Sequence, residues 1–341
     1  QVSNDGVAFR YVFPETSATV HTLTADRSTF PFQTDTKAWL QPMQVAKSGW
    51  VRTNPAYEEY YQKEIPVGTH SPLKNGWVFP ALFHTGDTWM IVSEGTLPRT
   101  WCATHLGDAS PDGEYGIAFP DARETMHGLP VNPASALPWT TPWRIIAIGS
   151  LKTVTESTLG TDLADPPDPA FAAACKTFVK PGLASWSWPL MGDKNTTFDV
   201  QKQFIDYAAD MHWPYCLIDA LWDTQIGDEK MQQLCAYAAG KKVGILLWYN
   251  SAGDWNTTPQ TPRNKMLTHE SRLAEFRKLQ AWGVKGVKVD FFGGDGRPVI
   301  NYYQDILTDA APFRLMVNFH GATLPRGLQR TYPNLLTMEA I

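Results

Sequence analysis

Six short apolar runs in the second half of the chain each carry, at or near the C-terminal end, a polar or aromatic side chain able to do chemistry or bind a ligand: Trp188, Asp219, Trp248, Asp290, His320 and Glu339. Lys288 and Asp290 are two residues apart in an apolar run and so share one face of an extended strand. A cation beside a carboxylate favours its ionised form, and the same ammonium can hold a hydroxyl group. Asp290 is thus a candidate functional carboxylate, although an isolated strand-end Asp more often caps a helix or ties a loop. Asp219, Trp222 and Trp248 fit a binding subsite in which a carboxylate takes hydroxyls and indole rings stack on a flat apolar face; the tryptophans fit equally well as rim residues packed under loops. A neutral His320 can donate to or accept from a hydroxyl, but a lone His at a strand end is as readily satisfied by backbone.

These residues must be carried by strands. The runs 184–188, 215–219, 243–249, 286–292, 314–320 and 335–339 alternate with helical periodicity. Phe204, Ile205, Ala208 and Met211 fall on one helical face, as do Leu273, Phe276, Leu279 and Trp282. Strand, loop and amphipathic helix in repetition imply a parallel sheet. Polar groups gathered at the C-terminal ends of its strands are the pattern of a TIM barrel; a doubly wound sheet is disfavoured because no Gly-rich loop follows the first strand. Before residue 160 the rhythm differs. Runs such as 7–13 and 77–83 are broken by turn-formers at Thr85-Gly86-Asp87 and Pro111-Asp112-Gly113, which predicts a β-sandwich. The expected organisation is a β-sandwich over residues 1–160, a Pro- and Asp-rich linker over 161–182, and an α/β (β/α)8 barrel over 183–341 of which six strands are present. The sequence opens in strand-like residues and ends within its sixth barrel strand, so it reads as a piece of a larger protein.

Composition excludes some partners. A net charge of −5 and a pI near 5.9 offer no basic face for nucleic acid or an anionic membrane, and no apolar run approaches the roughly 20 residues of a membrane span. Fourteen Trp, 12 Tyr and 16 Phe suit either a large β-rich core or sugar-stacking platforms. Cys102, Cys175, Cys216 and Cys235 have no metal-like spacing and are expected to be buried small hydrophobes.

The sequence resembles glycoside hydrolase family 97. The resemblance rests on Tyr57-Glu58-Glu59-Tyr60-Tyr61, Val92-Ser93-Glu94-Gly95, Trp186-Ser187-Trp188, Ile218-Asp219-Ala220-Leu221-Trp222, Leu247-Trp248-Tyr249-Asn250, Gly286-Val287-Lys288-Val289-Asp290-Phe291-Phe292-Gly293-Gly294-Asp295, Asn318-Phe319-His320-Gly321 and Thr337-Met338-Glu339-Ala340, in that order. It implies a calcium-dependent, exo-acting α-glycosidase, periplasmic or secreted, built from a β-super-sandwich, a TIM barrel and a further β domain. Within the family, Asp290 matches the nucleophile of retaining members. Inverting members resemble a His-Glu pair after the fifth strand, whereas this sequence reads His320-Gly321. Retention needs a carboxylate close to the anomeric carbon and inversion a base set back behind a water, so both positions point to retention, and α-galactosidase is the expected activity. By the same resemblance Glu339 and Glu94 are expected calcium ligands, Glu94 reaching across the domain interface, and the general acid/base is expected just beyond residue 341. Asn54, Tyr57 and Glu58 fit either the domain interface or the pocket. Three alternatives stay open: an α-glucosidase of the same family, a retaining glycosidase of a neighbouring barrel clan with no role for Glu94 or calcium, and a non-catalytic carbohydrate-binding module.

Overall fold

A computed structural model describes residues 1–108 and 112–339; Pro111 of the expected turn, and Ala340 and Ile341 of the last motif, lie outside these. The first half forms a seven-stranded antiparallel sheet whose central members are Trp143–Gly149, Thr88–Gly95 and Ala81–Thr85. The last two are joined by a tight turn at Gly86-Asp87, as the sequence predicts. A three-stranded sheet (Thr29–Pro31, Glu114–Ala118, His105–Leu106) packs on it. Their inward residues, Phe30, Leu106 and Tyr115 from one layer and Ala38, Leu40, Phe83 and Val92 from the other, make one buried cluster. Alternation therefore has its usual cause, one face dry and one wet. The run 7–13 is not one strand but two, Gly6–Phe9 in the large sheet and Val12–Thr22 in a two-stranded ribbon with Ala134–Thr140.

The sandwich side extends to Leu163, which packs with Leu159 on Ile145 and Ala8. The segment expected as a linker is also partly helical. Pro169–Cys175 forms a short helix because Asp168 caps it, accepting from Phe171 N at 2.9 Å, and Pro169 opens its first turn without needing an N–H partner.

From residue 184 six parallel strands lie in sequence order: Ala184–Trp186, Tyr215–Ile218, Gly244–Asn250, Gly286–Asp290, Met316–Phe319 and Leu335–Met338. Helices Phe198–Asp210, Asp228–Gly240, His269–Trp282 and Arg297–Ala310 alternate with the first five. This is a parallel half-barrel consistent with an incomplete TIM barrel. The predicted helical faces hold in part: Ile205, Ala208, Phe276 and Leu279 are buried, while Met211 is 46% exposed. Trp188 is not strand. Pro189 follows it and a short helix, Trp188–Met191, turns the chain out of the sheet. All four cysteines are buried and unpaired. Among the described residues no helix is long and apolar enough to cross a membrane.

Candidate active site

At the C-terminal ends of the strands lies a cavity of about 400 Å³ bounded by Trp186, Asp219, Trp248, Lys288, Asp290, His320 and Glu339 from the barrel and by Trp50 and Glu58 from the sandwich domain. Lys288 and Asp290 share the inner face of the fourth strand, as their spacing requires. Asp290 Oδ2 accepts from Trp248 Nε1 at 3.0 Å and lies 3.6 Å from Lys288 Nζ. The same ammonium is 3.1 Å from Asp219 Oδ2, which also accepts from Trp186 Nε1 at 2.7 Å, while Asp219 Oδ1 accepts from Ala220 N. Two carboxylates are thus pinned through one oxygen each by an indole and a shared lysine. Burial raises the Asp290 carboxyl above the ordinary Asp range; Lys288, His320 and the Trp248 hydrogen bond pull the other way.

His320 Nδ1 is 2.9 Å from Glu339 Oε2. Burial pushes the Glu339 carboxyl up, but the hydrogen bond and charge of His320, with Lys288 beyond, outweigh it and hold Glu339 below the usual carboxylate range. Such a group is ionised at neutral pH and unsuited to protonate a leaving group. Glu58 is the opposite case. Its carboxyl opens into the cavity, and burial, then Glu339, Asp290 and Glu59, raise it to about 7.

Two models of one family match the chain: Glycosyl-hydrolase 97 N-terminal over residues 1–166 and Glycoside hydrolase 97 over residues 180–341. The chain belongs to glycoside hydrolase family 97. A probable retaining alpha-galactosidase of Streptomyces bingchenggensis is 34% identical over 355 residues, spanning 100% of this chain and 49% of the relative. A retaining alpha-galactosidase of Bacteroides thetaiotaomicron is 30% identical over 183 residues, 48% of this chain and 25% of that one. Among solved structures, a beta-arabinopyranosidase superposes with a TM-score of 0.95 at 42% identity over 99% of this chain and 54% of its own. A family 97 enzyme of Pseudoalteromonas sp. strain K8 in complex with panose superposes at 0.77 with 20% identity over 99% and 53%, which supports the fold alone. The chain spans about half the length of these relatives, or less.

Within this family 97 chain the backbone itself decides what can stand at position 321. Gly321 has φ of +50°, and a Cβ there would sit 2.9 Å from Phe291 N and 3.1 Å from Asp290 Oδ1. A side chain at 321 would therefore strain the backbone and crowd Asp290 Oδ1 and the Phe291 amide. The glycine leaves open the one carboxylate oxygen that neither Trp248 nor Lys288 holds.

The cavity brings together Asp219, Trp248, Lys288, Asp290, His320 and Glu339, but not two other expected residues. Trp222 is core, not subsite: it is 1% exposed, its Nε1 donates to Trp248 O at 2.9 Å, and its ring packs against Tyr249 and Trp282. Leu221 takes a left-handed conformation and turns the following indole away from the cavity. Glu94 lies in a buried ion-pair cluster and does not line the cavity. It is fully buried between Arg144 and Arg326, with Oε1 2.7 Å from Arg326 Nε, and accepts from Thr104 N and Oγ1 at 2.7 and 2.6 Å. Two guanidinium groups neutralise its carboxylate. Tyr57 belongs to the same interface, and Asn54 donates to Ser48 Oγ beside it.

Residues that sequence reasoning missed as site members are Trp50, Trp186, Asp193 and Gln260, while Glu58, left open between interface and pocket, lines the cavity. Trp186 and Trp188 stack with ring centroids 5.6 Å apart at 16°, and Trp188 Nε1 donates to Asp193 Oδ1 at 2.7 Å, which fixes a half-exposed indole at the rim. Gln260 Nε2 holds the other Asp193 oxygen at 3.0 Å. The Trp-Ser-Trp triplet was a visible signal for the platform. Nothing in spacing places Trp50 or Glu58, more than 230 positions from Asp290, at the same cavity.

Proposed function

We propose that this chain carries the nucleophilic half of a retaining exo-glycosidase acting on galacto-configured pyranosides, with α-galactosides the first expected substrate. The observation that carries the reading is the Asp290 carboxylate, with Oδ2 anchored by Trp248 and Lys288 and Oδ1 free beside Gly321. In the first step Oδ1 attacks the anomeric carbon, the C–O bond to the aglycone breaks, and the departing oxygen takes a proton from a general acid. In the second, water takes the place of the aglycone, gives its proton to that same group, and releases Asp290. Asp219, held by Lys288 and Trp186, would bind ring hydroxyls; Trp186 and Trp188 would supply flat apolar surface for the sugar, while the buried Trp248 orients Asp290 through its indole N–H.

The 42%-identical beta-arabinopyranosidase and the 34%-identical galactosidase favour one sugar shape. β-L-Arabinopyranose is α-D-galactopyranose without its hydroxymethyl group, so one pocket can serve both. The test is kcat/KM of the full-length enzyme on aryl α-galactoside, β-L-arabinopyranoside and α-glucoside. The galacto-shaped pair should exceed the glucoside by about 100-fold, a hydroxyl-reading discrimination of several kcal/mol; preference for the glucoside would return the substrate to the glucosidase reading. Proton NMR should show the α anomer released first.

We also infer a calcium ion at this site, with Glu58 taking the place expected of Glu94. Five carboxyl groups (Glu58, Asp193, Asp219, Asp290, Glu339) line the cavity against one lysine, and the charge of Glu339 adds to the cost of ionising Glu58. Calcium suits oxygen ligands drawn from separate segments. Glu58 and Glu339 would supply two; among the described residues no three such side chains converge to hold a metal by themselves. The ion would supply positive charge beside the leaving group.

A further inference from the structure

We propose that the sandwich domain sets the working geometry of the loop behind the nucleophile, with its Tyr57 and Glu124 and the barrel's Arg326 as positioning residues; this rests on the assignment of Asp290 above. The loop that follows Asp290 is held from two sides: Phe291 N and Phe292 N donate to His320 O and Gly321 O and Asn256 Nδ2 donates to Phe291 O within the barrel, whereas the bonds to residues 293–296 come from the sandwich domain. Lys47 Nζ donates to Gly293 O at 2.8 Å, and Ala103 N donates to Asp295 O at 3.0 Å. Glu124 takes two amides, Asp295 N on its carboxylate and Gly296 N on its carbonyl, each at 3.0 Å. Tyr57 Oη donates to the Asp295 carboxylate. The approach is so close that a Cβ on Gly296 would lie 2.2 Å from Glu124 O.

A second active-site loop reaches the same place. Six residues after His320, Arg326 donates to Thr104 O at 3.0 Å, to Thr323 Oγ1 at 2.5 Å and to Tyr57 Oη at 3.4 Å. Its Nε lies 2.7 Å from Glu94 Oε1, an ion pair whose N–H does not point along the contact. Glu94 is in turn paired with Arg144, and Arg144 with Asp26 at 2.8 Å. The third segment is Tyr57 itself, whose neighbour Glu58 opens into the cavity. The segments bearing Glu58, Asp290 and His320 therefore converge on one buried ionic knot in which Tyr57, Glu94, Glu124, Arg144, Asp295 and Arg326 are each at most 6% exposed. Buried charges tolerate few arrangements, since any that leaves one unpaired is strongly unfavourable. The knot accordingly holds three site segments in a single relative position. Glu94, which does not line the cavity, acts through Arg326.

The test uses the full-length enzyme with Tyr57→Phe, and with Asp26→Asn as a variant of the same network on its sandwich side. Tyr57→Phe should lower kcat on an aryl α-galactoside by about 10-fold or more with KM within about twofold, because small displacements of a reacting group have effects of that size. It should also speed hydrogen exchange of amides 290–296. Asp26→Asn should lower the melting temperature and leave both kcat and that exchange unchanged. Should Tyr57→Phe fail to fold, Arg326→Lys, which keeps the charge and loses the planar fork, carries the same readouts. Unchanged exchange at 290–296, or a kcat loss no greater than the unfolded fraction, would overturn the proposal. A wild-type enzyme without glycosidase activity would sink the assigned reaction instead, and the exchange comparison would still decide the positioning.

Discussion

At the scale of single residues, Lys288 is the group on which two carboxylates depend. Burial raises Asp290, and Lys288 is the largest influence holding it down. An acid raised in this way is ionised, and able to attack, only above its elevated pKa, so the acid limb of kcat/KM should lie above the ordinary Asp range and activity should be lost as pH falls through it. Lys288→Met removes the counterion and should move that limb to higher pH, with kcat lower throughout; a limb that stays put would detach Lys288 from Asp290. The two glutamates of the sandwich domain should separate cleanly. Glu94→Gln leaves two buried guanidiniums short of a partner and is expected to cost about 3 to 5 kcal/mol of stability, with calcium affinity unchanged. Glu58→Gln should do the reverse, raising the calcium concentration for half-activity about 10-fold or more at little cost in melting temperature. A Glu58→Gln defect confined to poor leaving groups would make Glu58 the proton donor instead, a role its value of about 7 would suit.

At the scale of elements, the barrel was legible because parallel strands announce themselves. Buried on both faces, they read as continuous apolar runs, and all six were visible from residues alone. Their last residues were less so. Trp188 was expected to end a strand and begins a helix instead, since Pro189 suits a helix's first turn. Trp222 looked like a subsite residue because only Leu221's left-handed backbone, invisible in a list of residues, decides which way the indole points. The surroundings of Glu94 were hidden for a similar reason: its partners Arg144 and Arg326 lie 50 and 232 positions away, and no local pattern marks a pair formed by folding. The loop carrying Gly321 gives the element-scale prediction. Gly321→Ala places a methyl against Phe291 N and Asp290 Oδ1 and imposes a left-handed conformation costing about 1 to 2 kcal/mol. Activity should fall at least about 10-fold while the fold survives; a fully active variant would mean that Oδ1 is not the attacking atom.

At the scale of the molecule, the two domains share one site. The sandwich contributes Glu58 and Trp50 to the cavity and the knot that holds the catalytic loops, which is why neither half shows the whole site in its own sequence. The half-barrel leaves Ala184–Trp186 and Leu335–Met338 without a second neighbour among the described residues, and open strand edges template association. Residues 1–341 expressed alone should therefore sediment as associated species, whereas a monodisperse, cooperatively melting monomer would show those edges to be protected. The central claim is that Asp290 forms the bond to the sugar, and azide rescue addresses it most directly. In the full-length enzyme Asp290→Ala should keep no more than a few per cent of the activity on an activated aryl α-galactoside, and added azide should restore turnover with β-galactosyl azide as product, since a small anion can fill the vacated face. Substantial activity without azide, or rescue that yields the α-azide, would contradict it.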